Sequence, residues 1–438
     1  MPRHWIRYPL LYLLVTAVTG LIIRSMFLIP SWQGAYSSLL HAHSHLALLG
    51  WAYSALLLLL CSRFLTAADQ QSRFLKLNWA ATQLTVIGMF AAFSLQGYGL
   101  FSIAFSTLHI LLSYSFTAWF WRRLPRGPAV PVSVRCVKAA LFYLVFSSVG
   151  PWSLAIMSAG GWKDSPWYDA AIYGYLHFQY NGWFTLAIFA CIYQALERHG
   201  LPQGQVVLGR LHYMLYSLTL IPALLLSLLW MELPVWLNAA ATAAAVCQFA
   251  AVTAFLVLLR DSCREGTFRQ QLAGIPGSML LWRLAILSLG IKMIMELLSS
   301  VPALETLAFS TRSVIIGYLH LVLLGFVTAA LLALLRSERS GTTGRLQGVG
   351  LMWLGLFRSR LLRSELMRPG SILFAAGLTI HELLLFADGL CSYLGTPIPD
   401  LNALLLGASL AMLAGISLIA AGLWDWDAAG DHTEKHSA

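Results

Sequence analysis

The sequence predicts an all-α polytopic membrane protein of about twelve transmembrane helices, arranged as three pseudo-repeated groups of four. Composition is the first reason. Of 438 residues, 58% are hydrophobic and 11% charged, with a mean hydropathy of +0.72, too apolar for a water-soluble globule. Run length is the second. Apolar stretches of about 20 residues, enough to cross a bilayer, fall near 8–30, 38–62, 75–96, 99–122, 136–159, 170–196, 208–230, 234–259, 278–300, 313–336, 371–391 and 401–424. The third is a recurring signature. His45-Leu-Ala-Leu-Leu-Gly50-Trp51, His177-Phe-Gln-Tyr-Asn-Gly182-Trp183 and His320-Leu-Val-Leu-Leu-Gly325-Phe326 all read His, four residues, Gly, then a large aromatic. They lie in the second, sixth and tenth runs, so an ancestral four-helix unit is used three times. Residues 1–426 then form one transmembrane domain, and 427–438 a flexible, solvated tail.

The first run follows Arg3 and Arg7, as a signal peptide would, but Arg24 interrupts it and no small-residue cleavage site follows, so it is kept as a helix. Basic residues orient the chain. Arg63, Arg73 and Lys76, the group from Arg122 to Lys138, Arg198 and Arg210, Arg260 to Arg283, and Arg336 to Arg368 all fall on one side, leaving Lys163 and Arg312 on the other. Positive residues stay inside, which places both termini in the cytoplasm; the expected location is a bacterial inner membrane. The net charge of +10 is spread over these loops, so it reads as topology and contact with anionic lipid, not nucleic acid. The six cysteines form no C-x-x-C pair, and only Cys391 is expected to face outward, so neither a structural disulfide nor a covalent C-x-x-C-H haem site is supported.

Within the spans, the polar residues carry the functional reading. His41, His43 and His45 open the second helix. At 100° per residue His41 and His45 share one face and His43 lies almost opposite, so this helix can serve two sites. Arg24 either snorkels to the headgroups or pairs with an anion. Gln96, Tyr98 and His109 are the polar features of the third and fourth helices, and His109 reads more readily as a hydrogen-bonded residue than as a ligand. Tyr175, His177, Gln179, Tyr180 and Asn181 make the sixth helix unusually polar, so this face should line the interior. His212 reads as a surface or cap residue. Lys292 and Glu296 are i, i+4 neighbours and candidates for charge handling, and the eleventh helix holds His381, Glu382 and Asp388. Leu346 to Phe357 reads as an interfacial amphipathic segment.

His45, His177 and His320 each lie about seven residues inside helices running outward to inward, hence roughly 10 Å below one boundary and in one layer. Gly50, Gly182 and Gly325, five residues on, leave room for a planar macrocycle or for a second helix. Twelve helices with histidines on the second, sixth and tenth resemble subunit I of the haem-copper oxidases and nitric oxide reductases. The His41-Ala-His43 start and the His320 helix ending in Arg336-Ser-Glu-Arg-Ser-Gly-Thr-Thr-Gly-Arg345 are also similar to the NnrS family of haem- and copper-containing membrane proteins.

The resemblance implies that His45 and His320 ligate a b-type haem and that His177 corresponds to a copper ligand, with His41 or His43 completing a second metal site. Arg24, Lys292 and Arg312 would pair with haem propionates. The chain departs from the oxidases at the seventh helix, which offers only His212, and at Tyr318, where they carry a second histidine. Bis-histidine ligation suits electron transfer, with an electron-donor protein or quinol as partner. The activity implied is respiratory electron transfer or nitric oxide or oxygen chemistry. A haem- or copper-handling protein without turnover, and a secondary transporter coupled through Lys292, Glu296, Glu382 or Asp388, are the other open classes.

Overall fold

The computed structural model describes residues 3–29, 34–198, 200–231, 233–264, 278–301, 304, 311–343 and 354–424. Among these, every regular element is helical. In chain order the long helices are α1 (His4–Ser25), α2 (Tyr36–Phe64), α3 (Arg73–Gln96), α4 (Leu100–Trp121), α5 (Val132–Ala159), α6 (the continuous run of Pro166–His177, Phe178–Phe184 and Thr185–Arg198), α7 (Gln203–Met231), α8 (Val235–Arg264), α9 (Ser278–Leu298), α10 (Arg312–Ser337), α11 (Glu365–Tyr393) and α12 (Leu401–Trp424). Ten of them are long and apolar enough to cross a membrane. The exceptions are α3, whose first half carries Arg73, Lys76, Asn78 and Gln83, and α6, whose middle carries His177, Gln179 and Asn181. The tail 427–438, Arg345 and residues 346–353 of the amphipathic segment lie outside the described residues.

Local chemistry sets the helix ends. The Ser72 hydroxyl accepts from the Leu75 amide at 3.2 Å and starts α3, and Gly97, at φ +61°, ends it with its amide on the Phe93 carbonyl at 3.0 Å. Ser165 accepts from the Trp167 amide at 3.4 Å, with Pro166 as the first residue of α6. At the loop ends, Asp69 pairs with Arg123 at 2.7 Å while the Arg123 guanidinium lies over the Trp119 ring at 3.8 Å. The Thr66 hydroxyl and Arg123 hold the Asp69 carboxyl below the usual carboxylate range. Its contribution is therefore present above that range and lost as pH falls through the lowered value. The pair is exposed, so Arg123→Ala should lower stability by less than ~1 kcal/mol, measured by thermal unfolding in detergent.

Three helices make the centre. The most apolar stretch is 83% buried in α2 and 72% in α10, against 44% or less in the other eight apolar helices. In α6 the run from Thr185 to Gln194 is wholly buried. At one end these helices are tied by Arg63 of α2. Its guanidinium donates to the Cys191 carbonyl at 3.0 Å and to Ser337 Oγ at 3.3 Å, while Gln194 Nε2 donates back to the Arg63 carbonyl at 3.1 Å. Farther along, Trp51 Nε1 donates to Thr328 Oγ1 at 2.9 Å, joining α2 to α10.

The three signature stretches fold alike. Each histidine is followed at once by a π-helical segment: Leu46–Ala52 after His45, Phe178–Phe184 after His177, and Leu321–Thr328 after His320. An i→i+5 turn inserts one residue into the helix and re-aims what precedes it, and such turns are frequent at functional sites. Each signature glycine is pressed by a neighbouring helix. A Cβ on Gly50 would meet Tyr12 of α1 at 3.3 Å and one on Gly182 would meet Tyr143 of α5 at 2.5 Å; one on Gly325 would collide with Ser288 of α9.

Candidate functional site

Beyond the π turns, toward the histidines, the central helices open. Side chains are almost all buried from Leu48 to Cys61 and from His177 to Gln194, whereas Leu39–His41, His43–His45, Ala171–Leu176, Ser313–Ile316 and Tyr318–His320 are all partly accessible. Accessibility at the centre of a bundle marks clefts between helices, and the histidines line them.

Helix α2 divides its histidines between two sides, as the 100° step predicts. On one side the His45 ring stacks on Phe93 at 4.1 Å, and the His41 ring meets Tyr98 edge-on at 4.6 Å. His45 Nδ1 lies 2.9 Å from the His41 carbonyl, which only accepts, so Nδ1 carries the proton and Nε2 keeps its lone pair. On the other side His43 turns to α1. Its Nδ1 donates to the Thr16 carbonyl at 3.1 Å, which again leaves Nε2 with a lone pair. A neutral imidazole whose Nδ1 proton is held by a protein oxygen has the posture of a metal-ligating histidine.

The His43 side leads to the densest cluster of donor groups. His320 of α10 and His381 of α11 have ring centroids 5.1 Å apart, and Glu382 Oε1 lies 3.8 Å from His320 Nδ1 and 3.5 Å from His381 Nδ1. One donor atom from each of the three lies within 4.8 Å of the other two, close enough to hold one metal ion. His381 and Glu382 are buried, and both imidazole Nδ1 atoms and both carboxylate oxygens lack a hydrogen-bond partner. Buried groups of this kind are costly unless something satisfies them. His43 and Arg24 are close enough to act electrostatically on His320.

His177 is differently placed. Its Nε2 donates to the Leu220 carbonyl at 2.9 Å and its Nδ1 accepts from Asn181 Nδ2 at 3.1 Å, so both ring nitrogens are engaged and none is directed at a metal. The face it shares with Gln179, Tyr180 and Asn181 is buried, as its polarity predicts. Lys292, fully buried, donates to Glu296 Oε1 at 2.8 Å, and Tyr318 donates to the same oxygen at 2.7 Å. Lys292 is thus committed to a carboxylate rather than turned to a propionate. Gly50 and Gly325, expected beside a macrocycle, have their space filled by side chains of neighbouring helices. Arg24 stays a candidate anion partner, whereas Arg312 donates to the Tyr36 hydroxyl at 2.9 Å.

One placement corrects the sequence reading outright. His212 is fully buried, not at a surface or cap, and its Nδ1 lies 2.8 Å from the Tyr193 hydroxyl. Of the α2 histidines, His43 is the one that acts electrostatically on His320, while the His45 ring lies against Phe93. His381 and Glu382 were visible in the sequence only as polar residues of α11; only the folded chain brings them to His320. Compared with the models of known protein families and with curated proteins, the chain has no match.

Proposed function

We propose that the protein is a membrane redox protein carrying b-type haem in the outer cleft between α2 and α10, within twelve spans that count α3 and α6 and form three four-helix groups. In this reading both termini face the cytoplasm of a bacterial inner membrane. Its activity is respiratory electron transfer or chemistry on nitric oxide or oxygen, with an electron-donor protein or quinol supplying electrons. The observation that carries it is the posture of the histidines: on the accessible halves of two otherwise buried helices, imidazoles stand with Nδ1 held or facing a carboxylate and a nitrogen left to give. His320, with Glu382 facing its Nδ1, and His43 would hold the haem. Arg24, with no acidic side chain bonded to it among the described residues, would take a propionate. When bound, the haem supplies one-electron chemistry; the chain holds and orients it and excludes water from the inner half.

One observation favours a second reading. Two imidazoles and a carboxylate within one ion's reach, at His320, His381 and Glu382, form a set that suits a divalent transition metal such as iron. Because both readings use His320, the variants on either side of it separate them. His43→Ala should remove the sharp reduced b-type bands and leave bound metal, whereas His381→Ala should remove bound metal and leave the bands. The measurement is the dithionite-reduced minus oxidised optical spectrum of haem-supplied, detergent-purified protein, with metal content on the same sample. A wild-type spectrum without haem bands would sink the haem reading, and a change on adding nitric oxide or carbon monoxide would favour gas chemistry over electron transfer alone.

A further inference from the structure

We infer that the cleft between the start of α1 and the first half of α3 binds one anionic phospholipid, held by its phosphate. The inference is independent of the haem and metal readings, which use none of its residues. The cleft has a volume of about 370 Å³, within the range of small-molecule sites, and is lined by Trp5 and Tyr8 of α1 and by Lys76, Trp79, Leu84 and Ile87 of α3. One end of it is a set of donors. Lys76 is exposed, and among the described residues neither it nor the Tyr8 hydroxyl has a hydrogen-bond partner. The Trp5 and Trp79 rings stack at 4.8 Å, and Tyr8 meets Trp79 edge-on at 6.1 Å. A tryptophan that merely sits in the interfacial belt keeps its ring at the headgroups, whereas these two are only 6% and 2% exposed. Their N–H groups have no acceptor among the described residues, yet they are not sealed in the protein as those of Trp183 and Trp282 are.

The other end is apolar. Leu84 and Ile87 lie roughly 12 and 16 Å farther along α3 than Lys76, at 1.5 Å per residue, and both are exposed. Gln83 closes the floor, its amide nitrogen turned to Ser54 of α2 at 3.5 Å. The ligand that fits accepts hydrogen bonds and carries negative charge at one end, and is hydrocarbon at the other. A phosphodiester with its acyl chain meets both demands, and each donor to it is a charge-assisted hydrogen bond. No carboxylate lines the cleft, so the ammonium of phosphatidylethanolamine would meet Lys76 as a like charge with no acid to take it. The lipid is therefore one of net negative charge, such as phosphatidylglycerol. An uncharged quinone would leave Lys76 unmatched, and inorganic phosphate would leave Leu84 and Ile87 uncovered.

The test uses the full chain in mild detergent, stripped of lipid and titrated with phosphatidylglycerol or phosphatidylethanolamine, with bound lipid counted by native mass spectrometry. Wild type should hold one phosphatidylglycerol in preference to phosphatidylethanolamine. Affinity should fall about 5-fold in Lys76→Gln, an exposed position whose exchange leaves the fold intact. It should fall roughly 10-fold in Trp5→Phe, which keeps an aromatic ring on Trp79 and removes one N–H to a charged acceptor. Arg73→Gln, on the same helix but outside the cleft, should bind as wild type does. Equal retention of the two lipids or unchanged affinity in Lys76→Gln would overturn the inference. So would an equal loss in Arg73→Gln, which would mark only the general pull of a basic surface. Displacement of the lipid by inorganic phosphate would give the donors to a free anion, and displacement by an uncharged quinone would give the cleft to an electron carrier; either result also overturns it.

Discussion

His320→Ala should yield a folded protein with neither reduced b-type bands nor bound divalent metal. His320 faces Glu382 and His381 on one side, and His43 and Arg24 act on it electrostatically. If His320 holds the haem, removing it removes the attachment itself, so the expected effect is total loss rather than a fraction. Glu382→Gln should be milder. The amide keeps the shape of the carboxylate but not its charge, and losing such an orienting partner typically costs roughly 10- to 100-fold in affinity. Optical spectra and metal analysis of both variants give the readout. A normal haem spectrum and full metal content in His320→Ala would remove α10 from the site altogether.

Gly415→Ala should be the most destabilising single methyl in the molecule's α11–α12 pair. A Cβ there would fall on the Phe374 backbone nitrogen and lie 2.7 Å from the Gly370 carbonyl, so backbone rather than a movable side chain stands in the way. The same crossing repeats seven residues on, where a Cβ at Gly377 would meet the Met412 amide nitrogen at 2.8 Å. Small residues at such a spacing let two membrane helices approach to backbone contact. Forcing them apart should cost about 1–3 kcal/mol or more. Gly290→Ala is the control: nothing lies within 4 Å of its added methyl, and exchanging glycine for alanine inside a helix is favourable by up to about 1 kcal/mol. Thermal unfolding of both in detergent, followed by circular dichroism, should therefore move in opposite directions. Equal midpoints would show that the α11–α12 crossing is looser than this packing implies.

Much of the architecture was legible without coordinates, because bilayer thickness and hydrophobic transfer act on local composition. Nearly every apolar run of the sequence corresponds to a helix within a few residues, and the polar α6 kept its place because its polar residues face inward where partners exist. The His-x-x-x-x-Gly-aromatic signature also marked something physical. It coincides each time with a π turn and a close helix contact, features that a single-sequence pattern registers only as a repeated spacing.

The opposed faces of His43 and His45 follow from the helical step, which is a local property and so belongs to the sequence. What each face meets does not. His381 and Glu382 are more than sixty positions from His320, so their meeting depends on how α10 and α11 lie against one another. The same holds for His177, whose two hydrogen bonds come from Asn181 on its own helix and from Leu220 on the next. By itself the sequence determined the all-helical membrane class, the shared signature of three histidine-bearing helices and the two-sidedness of α2, all consequences of short-range periodicity and hydrophobicity. Only the tertiary structure decided which donors share a cleft and which are already satisfied, because helix packing angles and side-chain partners are set by contacts between distant segments.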